Sequence, residues 1–496
     1  MNRQIRQLAL GLMVCYVALF VTLNYWQVGR KQELEASFDN TRAIRREFDK
    51  PRGQILTANG TVIATSVLNP PGSAFKYQRQ YPTGELYADI SGYYTFAFGS
   101  TQLERTQNDV LAGTTPEQRL RALPGLITGG ADTSGSVHTT IRDDLQQVAK
   151  DALGEREGSV IVMDPTTGAL KAMWSYPSYD PNQVVDPDFA RAKDVLTFLQ
   201  ASPGDPLLAN AYQQRYMPGS TFKVLTASIA LQAGAVNLES QFENSTEWVP
   251  PQTDDPIQNF GGELCGGDFT QVFTRSCNIP FAQLAVQLGW DAMLQGVADW
   301  GVGEPIPIDL PRPAASTFGS VVDPEQNLPL LAIRGFGQNE DQMVPLHMAM
   351  VASTVANGGQ MMKPYVVQET VDHDGKVLDT TTPSVWKTPI TPETAATMQG
   401  LMLSVAQRGT ASCCIGLANG IPVAAKTGTA QLNGPGQPER SNAWIVAYAP
   451  ADAPRYAVAV MLKGTNAEIS SSTGGRLAGP VAKQVLDQAF AGEVGG

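Results

Sequence analysis

The feature that most constrains the fold is the separation of two groups of predicted strands by a long helical segment. The first group is the pair SVIVMD and ALKAMWS, joined by a Pro-Thr-Thr-Gly turn that is typical of a hairpin. The second group, PVAAKTGTAQL, AWIVAYA and YAVAVML, lies far downstream. Between the groups are the helical patterns 221–234, 279–300, 341–357 and 392–408, and an amphipathic stretch from Leu477 to Phe490 follows the last strand. This order predicts a mixed α+β / α/β fold with a five-stranded antiparallel sheet flanked by helices.

A segment near the N-terminus is apolar enough to cross a membrane. It runs from Leu8 to Trp26, which gives roughly 18–20 residues and one bilayer crossing. No small-x-small cleavage site follows within reach, so we expect an uncleaved anchor and not a removed signal peptide. Basic residues both precede and follow the segment, and long domains can translocate regardless of such charges. The charge distribution therefore leaves the orientation open.

The length of 496 residues suggests about three domains. Residues 1–28 are predicted to form the membrane anchor with a short cytoplasmic N-terminus. Residues 29–137 are predicted to form a charged helical stalk or linker (30–46) followed by a small β-rich pedestal domain. The pedestal is predicted from short β-like runs, such as QILTANGTVIATSV and DISGYYTFAFG, separated by Pro and Gly turns. Residues 138–496 are predicted to form the domain that contains the five-stranded sheet.

Charge and cysteine content exclude some functions and leave others open. The net charge of −12 argues against a nucleic-acid binder, because such a protein needs a cationic surface. Cys265 with Cys277 is the easier disulfide pair, whereas a bridge between the adjacent Cys413 and Cys414 would strain the peptide unit. Free thiols remain the alternative for all four. No cysteine or histidine spacing suggests a zinc site.

A serine activated by lysine is the chemistry that the sequence favours. A Ser-His-Asp triad is disfavoured because none of the histidines, His138, His347 and His373, lies near a serine elbow. Ser220 and Lys223 stand at i and i+3, on one side of a predicted helix, where lysine can activate a serine if it is neutral. Two other S-x-x-K matches, Ser73–Lys76 and Ser384–Lys387, lack a helical context.

Two further motifs single out Ser220. Ser276-Cys277-Asn278 is the only S-x-N in the chain, and Lys426-Thr427-Gly428-Thr429 is the only K-T-G. S-x-x-K, S-x-N and K-T-G in this order form the signature of β-lactamases and penicillin-binding proteins.

The chain thus resembles the penicillin-binding transpeptidases, and more narrowly the class B, monofunctional, membrane-anchored type of short actinobacterial members. The R-G-x-I segment at 52–55 and the G-x-G-Q segment at 335–338 add to the resemblance. Cys277 departs from the family pattern, since it replaces the usual Asp. Residues 67–137 match no segment of the family that we can name.

The resemblance implies a role for each motif residue. Ser220 is the expected nucleophile, Lys223 its proton acceptor, and Ser276 the relay to the leaving nitrogen of D-Ala. Asn278 is expected to bind the substrate backbone, and Lys426, Thr427, Gly428 and Thr429 to bind the end of the donor stem peptide. No metal or cofactor is implied.

The resemblance also implies partners and a location. The expected partners are peptidoglycan stem peptides, β-lactams, the cytoplasmic membrane and other cell-wall synthesis or division proteins, with no nucleic acid. The catalytic domain is expected outside the cytoplasmic membrane.

Three alternatives share these motifs. The first is a β-lactamase or a β-lactam sensor; a β-lactamase must deacylate with water, and the sequence does not identify the Glu that class A enzymes use for this. A D,D-carboxypeptidase would differ only in the acceptor. A catalytically silent scaffold would not need every motif position to be filled, as it is here.

Overall fold

The computed structural model describes residues 2–25, 47–121, 132–320, 327–433, 437, 440–470 and 472–491. The chain forms two compact units, one made of Met1–Pro51 and Val67–Gln78 and the other of Arg52–Ser66 and Arg79–Gly496. The helical stalk predicted over 30–46 lies outside the described residues.

The strands and helices are numbered in chain order. The strands are β1 Ile55–Leu56, β2 Val62–Leu68, β3 Tyr77–Gln80, β4 Tyr94–Thr95, β5 Gly99–Ser100, β6 Ser136–Thr139, β7 Gly158–Met163, β8 Leu170–Tyr176, β9 Gln241–Ser245, β10 Glu247–Trp248, β11 Ile257–Gln258, β12 Cys265–Asp268, β13 Met361–Met362, β14 Val367–Val371, β15 Val377–Thr380, β16 Val385–Lys387, β17 Ala424–Gln431, β18 Ser441–Ala449 and β19 Tyr456–Leu462. The α-helices of the described residues are α1 Asn2–Asn24, α2 Ala88–Ser91, α3 Gln102–Thr106, α4 Asn108–Leu111, α5 Asp143–Leu153, α6 Pro181–Val184, α7 Phe189–Ala201, α8 Lys223–Gln232, α9 Phe269–Arg275, α10 Ile279–Asp299, α11 Leu328–Arg334, α12 Pro345–Ala356, α13 Pro392–Arg408, α14 Ala467–Ser470 and α15 Gly474–Phe490.

In the first unit, α1 is the apolar segment predicted from the sequence. Its stretch Arg3–Asn24 has a mean hydropathy of 1.8 and is long and apolar enough to cross a membrane. Leu, Val and Phe side chains are exposed along the helix, as a membrane-spanning segment requires. Elsewhere in this unit, the rings of Phe48 and Phe75 pack with their centroids 5.0 Å apart.

The five-stranded sheet of the second unit has the order β17-β18-β19-β7-β8, with every neighbouring pair antiparallel. This confirms the sheet predicted from the two separated strand groups. All residues of β7, β18 and β19 are buried, because helices cover both faces. Helices α15 and α5 pack on one face, and α12, whose residues are all buried, packs on the other. Strand β17 lies at the edge of the sheet.

The predicted helices between the strand groups are present, with three local differences. The helix predicted over 341–357 is shorter, Pro345–Ala356. Helix α13 begins after Thr391, whose hydroxyl accepts the Thr394 N–H, and it ends at Arg408 as predicted. The predicted helix 221–234 begins instead as a 3₁₀ turn, Gly219–Phe222, that runs into α8. Helix α10 is interrupted at Gly289, whose φ of 77° and ψ of 169° are not helical.

A second sheet combines strands from distant parts of the sequence. Its order is β15-β14-β6-β1-β2-β3, so β14, from residues 367–371, pairs directly with β6, and β6 pairs with β1. Part of the run DISGYYTFAFG, which we expected to be β, forms helix α2. Gly92, with a φ of 70°, ends this helix in a conformation that favours glycine.

A buried ion cluster lies beside the second sheet. The Glu104 carboxylate accepts from Arg52 and from Arg79, at 2.6 Å in each case, and its side chain is fully buried. Tyr81 donates its hydroxyl to the same carboxylate at 3.2 Å. Two guanidinium groups and a phenol thus compensate the desolvation of one carboxylate.

Candidate active site

Ser220 lies in the 3₁₀ turn that precedes α8, held from both sides by close backbone contacts. The Gly219 N–H donates to the Gly337 carbonyl at 2.9 Å, which ties the turn to the G-x-G-Q segment. Gly219 has a φ of 53°, and a Cβ on it would lie 2.5 Å from the Thr429 carbonyl oxygen. Only glycine allows this approach, so the turn can press against the K-T-G strand and present the half-buried Ser220 beside it.

Lys223 begins α8 and lies fully buried beneath Ser220. Its Nζ is 2.9 Å from Ser220 Oγ. Nζ also lies 2.7 Å from the Ser276 carbonyl oxygen and 2.8 Å from Asn278 Oδ1. The spacing of three residues therefore places the amine and the hydroxyl together, as predicted from the helical repeat.

The S-x-N motif follows the C-terminal end of helix α9, where the chain turns toward Lys223 and Lys426. Helix α9 starts with a capping box between Asp268 and Gln271 and ends at Ser276, which has a left-handed φ of 63°. This conformation is unusual for a residue with a side chain. It directs both the carbonyl and the hydroxyl of Ser276 toward Lys223, at 2.7 and 3.4 Å.

The C-terminal end of helix α9 is supported by the paired strands β9 and β12 and by a disulfide. Cys277 is bonded to Cys265 of β12, with a Cα–Cα distance of 5.8 Å. Asn259 Oδ1 accepts the backbone N–H groups of Asn278 and Ile279 at 2.9 and 3.2 Å. The bridge therefore forms in the pair that the sequence favoured, and the disulfide replaces the usual Asp at the middle position of the motif.

Cys413 and Cys414 are also joined, with a Cα–Cα distance of 3.7 Å. This bridge is therefore present as well, although the sequence favoured the other pair. The pair lies in a series of tight turns after α13, where the Cys414 N–H donates to the Ala411 carbonyl at 3.0 Å.

The K-T-G motif lies on edge strand β17, directly beside the Ser220 turn. A Cβ on Gly428 would be 2.6 Å from the Pro218 carbonyl oxygen, so this glycine is required by close packing. Lys426 is fully buried, and its Nζ donates to Ser276 Oγ at 2.7 Å and to the Thr427 carbonyl at 3.0 Å. All three motifs thus converge around one serine hydroxyl.

Burial lowers the pKa of both lysines. Desolvation, and secondarily the nearby charge of Lys426, places the pKa of Lys223 well below its ordinary value. Desolvation lowers the pKa of Lys426 to about 7. A neutral amine at position 223 is therefore accessible near neutral pH, which is the condition for a lysine base.

The contacts of Lys223 suit both protonation states of its amine. An ammonium can donate to all three nearby acceptors, Ser220 Oγ at 2.9 Å, the Ser276 carbonyl at 2.7 Å and Asn278 Oδ1 at 2.8 Å. A neutral amine has two N–H donors and one lone pair, so if the Ser276 carbonyl and Asn278 Oδ1 take the two N–H groups, the lone pair is left for the Ser220 hydroxyl. In its neutral form, Lys223 Nζ is therefore placed to accept a proton from Ser220.

The other S-x-x-K matches are not assembled in this way. Ser73 is exposed and donates its hydroxyl to the Pro70 carbonyl at 2.8 Å, in a turn. Ser384 is exposed next to β16, and Lys387 pairs with Glu304 at 2.8 Å. His347 is buried between Ser316 Oγ and the Trp300 carbonyl, so it packs in the core.

Some contributors to the site were missed at the sequence level. Thr410 Oγ1 lies 2.6 Å from Thr427 Oγ1, and the Gly474 N–H donates to Thr429 Oγ1 at 3.2 Å. Asn259 was also missed. None of these belongs to a motif that we used, and only the tertiary fold brings them to the site. Over the described parts of the chain, no group of three or more His, Cys, Asp or Glu is placed to hold a metal.

Family models match most of the chain. The model described as penicillin binding protein transpeptidase domain matches residues 158–487. The model described as penicillin binding protein A dimerisation domain matches residues 52–137, which include the segment that the sequence motifs left unassigned.

Curated relatives and solved structures match along nearly the full length. The chain is 36% identical over 499 residues to the peptidoglycan D,D-transpeptidase PbpA of Mycolicibacterium smegmatis, covering 99% of both chains. It is 34% identical over 510 residues to the Mycobacterium tuberculosis protein of that name, covering 99% of this chain and 100% of the relative. The ceftriaxone acyl-enzyme of penicillin-binding protein A from M. tuberculosis superposes with a TM-score of 0.83 at 32% identity, over 90% of this chain and 100% of that one. Its penicillin G acyl-enzyme gives a TM-score of 0.80, over 89% and 100%. This chain therefore belongs to the penicillin-binding protein transpeptidase family, as a class B member.

Proposed function

We propose that this D,D-transpeptidase of peptidoglycan synthesis uses Ser220 as its nucleophile and that β-lactams inhibit it by acylating the same hydroxyl. The observation that carries the proposal is the 2.9 Å distance between Ser220 Oγ and Lys223 Nζ. That lysine is fully buried and has a lowered pKa, so it can accept the proton that Ser220 must lose.

Acylation follows from the contacts around Ser220. The Ser220 proton moves to Lys223 Nζ while Oγ bonds to the penultimate D-Ala carbonyl carbon of a stem ending in D-Ala-D-Ala. The backbone N–H groups of Ser220 and Thr429 hold the developing oxyanion. As the C–N bond breaks, the leaving D-Ala nitrogen takes a proton from Ser276, which is replenished by Lys223 or Lys426. An amine of a neighbouring stem then attacks the ester and releases Ser220.

Strand β17 supplies the binding of the donor peptide. Because β17 is at the edge of its sheet, an extended peptide can add to it by backbone hydrogen bonds. Lys426, Thr427 and Thr429 bind the terminal carboxylate of the donor, and the missing side chain of Gly428 keeps the strand close to the nucleophile. Asn278 binds the peptide backbone on the opposite side.

The test is the intact mass of the protein after treatment with penicillin, followed by peptide mapping. Wild type should gain one adduct, and the adduct should map to the peptide that contains Ser220. Ser220→Ala should gain none, whereas Ser73→Ala and Ser384→Ala, the matched controls, should be labelled like wild type. An adduct at Ser73 or Ser384 would overturn the assignment.

The lifetime of the penicillin adduct and the nature of the acceptor distinguish the transpeptidase from the alternative functions. A β-lactamase would turn over the penicillin adduct within seconds, whereas a transpeptidase keeps it. A carboxypeptidase would release D-Ala without forming cross-links when an acceptor amine is present. A scaffold would leave growth and cross-linking unchanged in Ser220→Ala.

The proposal includes a single-pass anchor at 1–28, a stalk and N-terminal domain at 29–137, and a transpeptidase domain at 138–496 outside the cytoplasmic membrane. Its support is the apolar helix Arg3–Asn24 together with a substrate that is found outside that membrane. A C-terminal fusion to alkaline phosphatase, which is active only after export, should be active. Activity of a cytoplasmic reporter in the same position would contradict this orientation.

Protein partners are a further part of the proposal. We expect the N-terminal domain to contact other cell-wall synthesis or division proteins, since its family model is named for dimerisation. Photo-crosslinking from Leu120, whose side chain is 67% exposed, should capture such a partner or a second copy. A crosslink to neither would contradict this part.

A further inference from the structure

Thr410 contacts the K-T-G strand, although it lies outside the S-x-x-K, S-x-N and K-T-G motifs. It follows α13, and its Oγ1 lies 2.6 Å from Thr427 Oγ1. The Thr427 residue is only 6% exposed, whereas Thr410 is exposed. The two hydroxyls therefore form a pair at the boundary between the buried strand and the solvent.

The number of protons in this pair restricts what each hydroxyl can do. A threonine hydroxyl has one proton and two acceptor lone pairs. If Thr427 donates its proton to a bound carboxylate, it can take part in the 2.6 Å contact only as an acceptor. Thr410 must then be the donor.

We propose that Thr410 is a positioning residue for the terminal carboxylate of the donor: it donates its proton to Thr427 Oγ1 and so leaves the Thr427 proton directed at that carboxylate. The inference rests on the proposed function, in which Thr427 binds this carboxylate. Lys426, adjacent in the strand, supplies the positive charge for the carboxylate. The hydroxyl pair orients the Thr427 proton toward it.

Backbone packing holds Thr410 in this place. A Cβ on Gly409 would lie 2.4 Å from the Thr274 carbonyl oxygen, so the segment is packed closely against α9, the helix that ends at Ser276. A Cβ on Gly475 would lie 2.4 Å from the Thr410 carbonyl oxygen, so the start of α15 closes the other side. The two glycines therefore allow Thr410 to lie between α9, which ends beside the S-x-N motif, and the start of α15.

Hydrogen bonds within the segment add to this support. The N–H groups of Gly409 and Ala411 both donate to the Val405 carbonyl, at 3.1 and 3.3 Å. The Ser412 N–H donates to the Gly409 carbonyl at 3.1 Å. The hydroxyl of Thr410 therefore projects from a fixed backbone, and substituting this side chain alone removes the donor without removing these contacts.

The experiment measures acylation of the full chain by a penicillin and by its methyl ester, as a function of concentration. The dissociation constant of the non-covalent complex and the acylation rate constant are obtained separately. Thr410→Val, which keeps the shape and removes the donor, should raise the dissociation constant for penicillin roughly two- to tenfold, as expected for one hydrogen bond. The acylation rate constant should stay near that of wild type, because the carboxylate is bound equally before and during reaction.

The methyl ester and a conservative variant separate positioning from a structural effect. The ester lacks the anionic carboxylate, so Thr410→Val and wild type should bind it equally. Thr410→Ser, which keeps the donor, should restore penicillin binding. Ser412→Ala is the matched control: it removes a hydroxyl in the same segment that donates to the Gly409 carbonyl at 2.8 Å and not to Thr427, so it should behave as wild type. An equal loss for penicillin and its ester, or no loss at all, would overturn the inference.

A double variant tests whether Thr410 acts through Thr427. In a Thr427→Val background, Thr410→Val should cause no further loss, whereas an additional loss would mean that Thr410 contacts the ligand itself and would overturn the positioning role. Failure of the proposed function is distinguishable, because the adduct would then map away from Ser220 in every variant.

Discussion

Lys426 Nζ lies 2.7 Å from Ser276 Oγ, although the two residues are separated by 150 positions in the sequence. This contact joins the K-T-G strand to the S-x-N helix end. Lys223 reaches the same serine from the other side, with Nζ 2.7 Å from its carbonyl oxygen. Two buried lysines thus share one serine, and in the proposed mechanism their protonation states differ, because Lys223 is the base and Lys426 the cation.

We expect a bell-shaped pH dependence for the second-order rate constant of acylation by penicillin. The rate should rise with pH as Lys223, whose pKa burial and Lys426 hold well below its ordinary value, becomes neutral. It should fall as pH passes about 7, where Lys426 loses the charge that binds the carboxylate. The two limbs belong to the coupled pair and not to either lysine alone. Stopped-flow measurement of acylation across the neutral range checks this.

The variant Lys426→Arg tests whether the alkaline limb of this pH profile reflects the deprotonation of Lys426. A guanidinium keeps its charge throughout the neutral range, so the alkaline limb should disappear from the profile even if the absolute rate falls. An alkaline limb that persists unchanged in this variant would contradict the assignment of that limb to Lys426.

Much of the fold could be predicted from local patterns, whereas the site could be predicted only in part. The i, i+3 spacing of Ser220 and Lys223 fixes their proximity, because a helical turn determines it locally. The five-stranded sheet follows from the two separated groups of apolar strand segments. The order of the motifs indicated that Ser276 and Lys426 belong to the same site.

What could not be predicted depends on long-range packing. The left-handed φ of 63° at Ser276 directs two of its oxygens at the lysines, and no local preference of serine favours that conformation. Thr410 reaches Thr427 because the chain turns back after α13. Asn259, which follows strand β11, accepts the N–H of Asn278. Helix periodicity contains no information on such contacts.

Gly428→Ala should lower the rate of acylation by about 10²-fold or more, because a displacement near 1 Å in an active site can have that effect. Its Cβ would lie 2.6 Å from the Pro218 carbonyl oxygen and 3.0 Å from the Thr221 amide nitrogen, so the strand and the Ser220 turn must separate. Rates of penicillin acylation measure the effect.

The matched control is Gly400→Ala, at an exposed position of α13 where a Cβ would meet nothing within 4 Å. This change should raise the free energy of unfolding by about 1 kcal/mol, since alanine is the better helix former, and leave acylation unchanged. Equal rates for Gly428→Ala and wild type would show that the close approach is not needed.

The two disulfides should differ in their contribution to stability. Cys265 and Cys277 are 12 positions apart, so their bridge closes a loop and restricts the unfolded chain, typically by about 2–4 kcal/mol. Cys413 and Cys414 are adjacent, so their bridge closes almost no loop. Denaturant unfolding of the two double alanine variants should show the larger loss for the 265/277 pair. A larger loss for the 413/414 pair would contradict the loop-entropy argument.

Glu104→Gln should destabilise the fold by about 3–5 kcal/mol, because it leaves two buried guanidinium groups without a compensating charge. Arg52 and Arg79 both donate to this carboxylate at 2.6 Å, and its side chain is fully buried. The control is Glu117→Gln, in an exposed pair with Arg121 one helical turn away, which should change stability by less than about 1 kcal/mol. Chemical denaturation of the full chain in detergent measures both. Similar midpoints for the two variants would mean that the cluster around Glu104 contributes no more to stability than a surface ion pair.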